Sequence, residues 1–364
     1  LPLTTAASLM TINAAMGLMS SFIAGPIIDR LGRKWVMVFS LLTNGGLYAL
    51  MIWADSLPAF AVLLGLQGAV NPLFRVGGDA MMADLIPQEQ RVEAYSLLRM
   101  SNNLGVALGP AIGGFIASRS YTIAFICAAV GMSTYGLLLL FRAKETLPAR
   151  VAGGALAAEA KERFGGYGTV LRDRPFISFV FAFIFTSICA SMIWVLLSVY
   201  TKTNFNLSES QYGLIPTTNA IMVVALQILV TRITRRYRHL PVMAIGSAFY
   251  ALATFAIAFG TGFWWFWLCM VVMTIGELVL IPTSTTFVAN LAPVNMRGRY
   301  MSIYGLTWGV ATGIGPVLGG WLNDTFRPQA IWYGGGLIGL CSVLAFLGLI
   351  WWDGRKRRLA QQAV

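Results

Sequence analysis

The sequence predicts an all-α polytopic membrane protein built from two repeated helical bundles, and three observations carry that prediction. Hydrophobic residues make up 57% of the 364 and charged residues only 11%, where a soluble domain carries about a quarter; mean hydropathy is +0.71. Apolar runs of the ~20 residues needed to cross a ~30 Å hydrocarbon core follow one another along the chain. The second half also repeats the first at an offset of 206 residues. This composition excludes a cytosolic enzyme, a secreted disulfide scaffold and a disordered tail. Cys127, Cys189, Cys269 and Cys341 lie far apart in apolar runs without zinc-type spacing and read as small buried hydrophobes. With His239 the one histidine, no metal, cofactor or catalytic triad is expected.

Taken in order, eleven spans are predicted, at 5–28, 35–54, 58–83, 94–117, 121–141, 175–200, 209–231, 241–260, 263–289, 300–322 and 331–352. The loops between them are short except 142–174, which is charged, rich in Ala and Gly, and reads as a linker. The expected organisation is an N-terminal bundle at 1–141, a cytoplasmic linker at 142–174, a C-terminal bundle at 175–352 and a basic cytoplasmic tail at 353–364. No span has the basic leader and short apolar run of a cleaved signal peptide.

Charge placement gives the orientation. With the loop after the first span in the cytoplasm, 21 Lys and Arg fall on the cytoplasmic side. They include Arg30, Arg33 and Lys34, the set Arg232, Arg235, Arg236 and Arg238, and the tail Arg355, Lys356, Arg357 and Arg358. Three fall on the other side, Arg119, Lys202 and Arg327, and the remaining two, Arg75 and Arg99, lie within spans. Such a bias is the positive-inside signal of a multi-pass protein of a cytoplasmic (inner) membrane. It accounts for the net charge of +12, so no nucleic-acid partner is expected; the lipid bilayer is.

The repeat has no gaps where it is clearest. Residues 83–116 lie over 289–322 with nine of 34 positions identical, including Pro87/Pro293, Arg91/Arg297 and the Gly-Pro-x-x-Gly-Gly beginning at Gly109 and Gly315. Arg30 to Met37 lies over Arg236 to Met243 at the same offset. Two parallel six-helix halves are a recurrent transporter plan. The span at 175–200 has its counterpart ahead of Leu1 under this offset, so a first helix is expected to be missing, with eleven of twelve present.

The first loop reads Gly25-Pro-Ile-Ile-Asp29-Arg30-Leu-Gly32-Arg33-Lys34. In residue, spacing and position it resembles the loop between helices 2 and 3 of the major facilitator superfamily. Gly105-x-x-x-Gly109-Pro110-x-x-Gly113-Gly114 is similar to the glycine-proline motif in helix 5 of the drug/proton antiporters of that superfamily. The resemblance covers essentially the whole chain. It implies that the first loop locks the outward-facing state, with Arg33 pairing to Asp84. One departure is Leu64, which precedes Gln67-Gly68 where the antiporters place an Arg, so the proton-transfer role of that Arg does not carry over. Independently, Asp29 and Arg33 suit a helix mouth where charges pair or meet a helix terminus, or act as turn and anchoring residues. Gly105, Gly109 and Gly113 recur every four residues, so another backbone can approach that face closely, and Pro110 adds a kink.

Ionisable groups within spans cost about 2.5–3.5 kcal/mol or more each and mark function. Four stand out: Arg75 and Asp79, Arg99, and Glu277. Counting helical rise puts Asp79 and Arg99 at about the same depth, which predicts an ion pair between them; Arg75, one turn from Asp79, is the alternative partner. Arg75 and Glu277 fall near the bilayer centre by the same count. The resemblance places them on opposing walls of one central cavity, with Glu277 as coupling carboxylate or anchor for a cationic substrate. A static contact of Glu277 with Arg75 or with backbone is the structural alternative. Trp264, Trp265 and Trp267 read as an interfacial aromatic belt. Trp194 and Trp308 are candidates for stacking on a substrate, and Asn102, Asn103, Asn219 and Gln227 for polar cavity contacts.

The resemblance implies a secondary active transporter exporting lipophilic or cationic small molecules against protons by alternating access; a monomer is expected. Symport of a small nutrient such as a peptide or sugar is the second reading, since Gly276-Glu277 also resembles the proton-coupled oligopeptide branch. A non-transporting membrane sensor is the third. No nucleophile–base pair or phosphate loop is present, so an enzyme is not expected.

Overall fold

The computed structural model describes residues 3–147 and 167–362. The expected linker's 148–166, with Arg150, Lys161 and Arg163, lie outside the described residues. No strand occurs among those described. The helices are α1 (Leu3–Leu31), α2 (Arg33–Leu50), α3 (Leu57–Leu85), α4 (Arg91–Arg119), α5 (Tyr121–Arg142), a short α6 (Tyr167–Arg172), α7 (Arg174–Phe205), α8 (Glu209–Thr234), α9 (His239–Ile257), α10 (Phe263–Leu291), α11 (Arg297–Thr325) and α12 (Ala330–Gln362). Each of the eleven expected spans is one of these; most run a few residues past the apolar run, as basic side chains at helix ends reach the interface, whereas α2 gives way to a 3-10 turn at Met51–Trp53 and α9 ends at Ile257, both short of the expected ends. Nine are apolar enough to cross a membrane by length and composition. α4 and α11 are as long, 29 residues each, but their glycine, serine and asparagine content lowers their hydropathy.

The helix ends follow local chemistry. Ser56, Ser120 and Asp173 accept the first free amides of α3, α5 and α7, and Ser208 and Gln211 form a capping box on α8. Asn206 ends α7 in the left-handed conformation, φ 53°. Pro26, Pro72, Pro216, Pro282 and Pro316 lie inside helices, and each lacks the N–H that would occupy the carbonyl four residues before it. Two of these freed carbonyls are taken by side chains: Phe22 by the Tyr167 hydroxyl, and Leu278 by Gln227 Nε2 at 3.0 Å.

The chain forms two compact units. The first comprises Leu1–Arg91, Leu108–Arg172 and Val288–Leu306, the second Val92–Ala107, Asp173–Phe287 and Thr307–Val364. In the first, α1 packs along α3, and α2 along α3 and α5, burying Ile28, Val36, Met37, Leu41, Val76 and Ala80. In the second, α9 and α7 pack on α12. Phe179 meets the rings of Phe183, Phe287 and Phe346 there, and Tyr200 those of Phe205, Phe266 and Trp332. Large apolar side chains such as Phe39, Val62, Phe141, Leu252 and Leu344 remain exposed, as lipid-facing surfaces require.

Candidate functional site

The loop after α1 builds the first cluster, within the first unit. Gly32 joins α1 to α2 at φ +98°, and a Cβ there would strike the Glu145 carboxylate. Glu145, 112 residues after Arg33, accepts the first amides of α2, from Arg33 at 2.9 Å and Lys34 at 3.1 Å. It supplies the cap that Gly32 lacks. Lys34 lies over the Trp35 ring at 5.0 Å, and Arg30 is half-buried on the last turn of α1.

One turn before Arg33, Asp29 accepts the amides of Gly298 at 2.9 Å and Arg299 at 3.2 Å in the first turn of α11. Its carboxylate also lies 3.2 Å from Arg299 Nη1 and 3.5 Å from Arg33 Nη2. The helix dipole and the free amides both favour an anion there. Two glycines permit the approach: a Cβ on Gly25 would sit 2.7 Å from Arg299 Cα, and one on Gly298 would sit 2.8 Å from the Gly25 carbonyl oxygen. Arg33 is fully buried; its Nη2 donates to the Val294 carbonyl at 2.7 Å and its Nε lies 3.0 Å from Asp84 Oδ2. Asp84 is the hub, accepting Thr146 at 2.8 Å and pairing with Arg297. Burial pushes the Tyr167 phenol up, against Ser302 and Arg299, so it remains a donor at the Phe22 carbonyl.

The second cluster lies in the second unit. Glu93, Ser96 and Arg99 recur every three residues on one face of α4. Glu93 pairs with Arg235, and Ser96 meets Thr231 at 2.6 Å. Thr231 in turn accepts Gln227 at 3.2 Å. Deeper along the same face, Arg99 Nη2 lies 2.6 Å from Glu277 Oε1, and its Nη1 donates to the Glu277 carbonyl at 2.7 Å. Asn219 Nδ2 donates to Glu277 Oε2 at 2.6 Å and to Thr274 Oγ1 at 2.9 Å, and Asn103 donates to the Arg99 carbonyl at 3.0 Å.

This corrects two expectations. Arg99 pairs with Glu277 rather than with Asp79, and Glu277 is partnered by Arg99 and Asn219 rather than by Arg75. Counting rise along straight helices gives depth but neither rotation nor tilt, and α10 carries Pro282 between Glu277 and its end. The charge acting on Asp79 is that of Arg75. Arg75 itself is exposed, and its Nη2 lies 3.0 Å from where a Cβ on Gly305 would stand.

At the α4 glycines the described residues leave open space. A Cβ on Gly105, Gly109 or Gly113 would meet no described atom within 4 Å. In the repeat copy, Gly315 and Gly319 are filled by Ser191, Met192 and Leu196 of α7, and the described residues bring no such helix to the first set. α4 continues as helix through Pro110 and Gly114. Trp308 is 41% exposed, Trp194 half-buried and Asn102 exposed, and none of the three touches Glu277 by a hydrogen bond among the described residues.

Sequence reasoning missed Glu145, Thr146, Tyr167 and Arg299 and the role of Arg91, which the repeat had flagged. Arg91 donates to the carbonyls of Ile86 (3.1 Å) and Ala83 (2.7 Å) at the end of α3. It also donates to the Ala289 carbonyl (3.2 Å) and Asn290 Oδ1 (2.6 Å) at the end of α10. Under the 206-residue offset Arg91 matches Arg297 and Asp84 matches Asn290. Each arginine therefore reaches position 84 or its copy in the opposite half. Asp29 likewise matches Arg235, and Arg299 matches Glu93: the Asp29–Arg299 pair has a counterpart of reversed sign.

Comparison with known proteins gives one consistent result. The model of the Major Facilitator Superfamily matches residues 1–202 and 179–363. A Na(+), Li(+), K(+)/H(+) antiporter of Planococcus maritimus is 25% identical over 380 residues, covering 95% of this chain and 87% of its own. Multidrug resistance protein MdtH of Yersinia pestis (strain Pestoides F) is 26% identical over 338 residues, covering 92% and 81%. Among solved structures, the human organic anion transporter MFSD10 superposes with TM-score 0.77 at 20% identity, covering 92% of this chain and 82% of that one. The Escherichia coli fucose:proton symporter FucP gives 0.75 at 14%, covering 94% and 90%. At these identities the structures show the fold alone.

Proposed function

The chain belongs to the Major Facilitator Superfamily, a multi-pass membrane transporter and not an enzyme, and from that premise we propose that it exports lipophilic or cationic small molecules in exchange for protons. The observation that carries this reading is Glu277. It is a carboxylate within a membrane-spanning helix, only 15% exposed, with a guanidinium on one oxygen and an amide on the other. Burying a charge so far from water is costly and is kept where an ion must be handled. The two relatives named as a cation/proton antiporter and a multidrug resistance protein agree with this chemistry at low identity.

In the proposed mechanism a proton and the substrate take turns at Glu277. An N-terminal bundle at 1–141 and a C-terminal bundle at 175–352 rock about it. Asp29 and Asp84 hold the cytoplasmic side shut through their contacts with the first turn of α11, and Arg33 through the Val294 carbonyl just before it. The protein works as a monomer in the cytoplasmic membrane. The test is proton flux in inside-out vesicles presented with a panel of lipophilic dyes and drugs. Substrate-dependent proton release from an acidified lumen, lost in Glu277→Gln, is the expected result. Release that survives the substitution moves the proton site elsewhere. Proton movement in the same direction as the substrate marks a symporter, and silence across the whole panel removes this substrate class.

A further inference from the structure

We infer that the Glu277 carboxylate is a binding site for a monovalent cation whose resting occupant is the chain's own Arg99 guanidinium, which the incoming cation displaces. The inference rests on the transport reading above and deepens it by assigning Arg99. The Arg99 side chain is 9% exposed and that of Glu277 15%, so the pair is nearly dry while one edge of the carboxylate stays reachable. The charged group facing Glu277 is Arg99, from α4. α8 offers the neutral amide of Asn219, which also donates to the Thr274 hydroxyl of α10. Carboxylate, amide and hydroxyl groups without sulfur or imidazole suit a proton, an alkali ion or an ammonium rather than a transition metal.

A buried carboxylate is satisfied by one positive charge; a second in the same dry site stands uncompensated. Arg99 and an entering cation are therefore mutually exclusive on Glu277. Arg99 belongs to the first half of the sequence and Glu277 to the second, so their pair ties the two halves while the site holds no other cation. Breaking the tie requires that a cation arrive. An empty carrier is held and a loaded one is free, which makes exchange obligatory and suppresses leak. The repeat argues against a tie kept for packing alone. Arg91 and Arg297, which make matching contacts in the two halves, are identical, whereas Arg99 falls on Gly305 and Glu277 on Asn71.

The test titrates the purified full chain with three probes, namely protons, NaCl or KCl against N-methylglucamine chloride, and tetraphenylphosphonium, reading the shift in Tm. The same variants are then assayed in inside-out vesicles. If Arg99 holds the carboxylate nine-tenths of the time or more, it weakens apparent cation affinity about tenfold or more. Arg99→Gln should bind at least one probe about tenfold tighter and leak protons without substrate, and which probe gains identifies the cation. Arg99→Lys keeps the charge, loses the fork and falls between, and it decides the matter if Arg99→Gln does not fold. The exchanged pair Arg99→Glu/Glu277→Arg should keep the wild-type Tm but lose exchange, because the carboxylate has moved to α4. Unchanged affinity of Arg99→Gln for all three probes overturns the inference, as does an exchanged pair that transports like wild type, or the absence of any cation binding. Wild-type vesicles that exchange nothing would remove the transport reading instead, while the binding titration still decides the site.

Discussion

Gly298 allows Asp29 to reach the first amides of α11 only because it has no side chain. A Cβ there would stand 2.8 Å from Asp29 Oδ1 and 2.8 Å from the Gly25 carbonyl oxygen. Gly298→Val should therefore destabilise this contact by about 1–3 kcal/mol, as overpacking does, read as a lowered Tm of the purified full chain. At Glu277 the second oxygen depends on Asn219, itself 2% exposed. Asn219→Leu leaves that oxygen without its amide, at about 1–3 kcal/mol, and should raise the KM for the exchanged cation about tenfold with little change in protein level. The sequence made Asp29 and Arg33 legible because they sit in a motif with fixed spacing, and Asp84 as the partner that the motif's resemblance implies for Arg33. It located Arg99 and Glu277 by their cost in a membrane but not their pairing, since rise along a helix says nothing of rotation. Glu145, an ordinary linker residue by pattern, carries no sequence sign that it caps a helix 112 positions away.

At the scale of the elements, the same contact recurs with its charges exchanged. The end of α1 meets the start of α11 through Asp29 and Arg299, with side chains 1% and 8% exposed. The end of α8 meets the start of α4 through Arg235 and Glu93, 45% and 38% exposed. Burial decides which matters more. Asp29→Asn takes the anion from the buried Arg299 and leaves Arg33 with Asp84 alone, and should cost about 3–5 kcal/mol. Glu93→Gln removes a half-exposed pair worth under about 1 kcal/mol and screened by salt. Comparing the Tm of the two variants at low and high ionic strength checks both the ranking and the salt effect. The kinked helices follow a similar logic: Tyr167→Phe strands the Phe22 carbonyl that Pro26 frees, an expected loss of about 1–3 kcal/mol. That the prolines interrupt helices was legible; which side chain would arrive at each freed carbonyl was not, because Tyr167 and Gln227 come from other elements.

For the whole molecule, the division of 21 basic residues against three is a statement about topology that no single helix can make. Apolar runs located the spans because lipid demands them, and the repeat paired the halves because nine identities in 34 positions survive at one offset. Orientation follows instead from the cost of moving basic loops across the bilayer. It can be tested with single cysteines at Lys202 and Arg327, on the side with three charges, and at Arg238 and Arg355, on the side with 21. The exposed Cys127 and Cys341 must first be replaced by serine, whereas Cys189 is buried against Thr254. In intact cells an impermeant maleimide should label the first two positions, and the other two only after permeabilisation. Losing one charge of 21 leaves the bias standing, so these substitutions do not themselves turn the protein over. Labelling of Lys202→Cys and Arg238→Cys from one face would mean that the one helix between them, α8, does not cross. The alternation on which the Asp29 contact is assigned to the cytoplasm would fall with it.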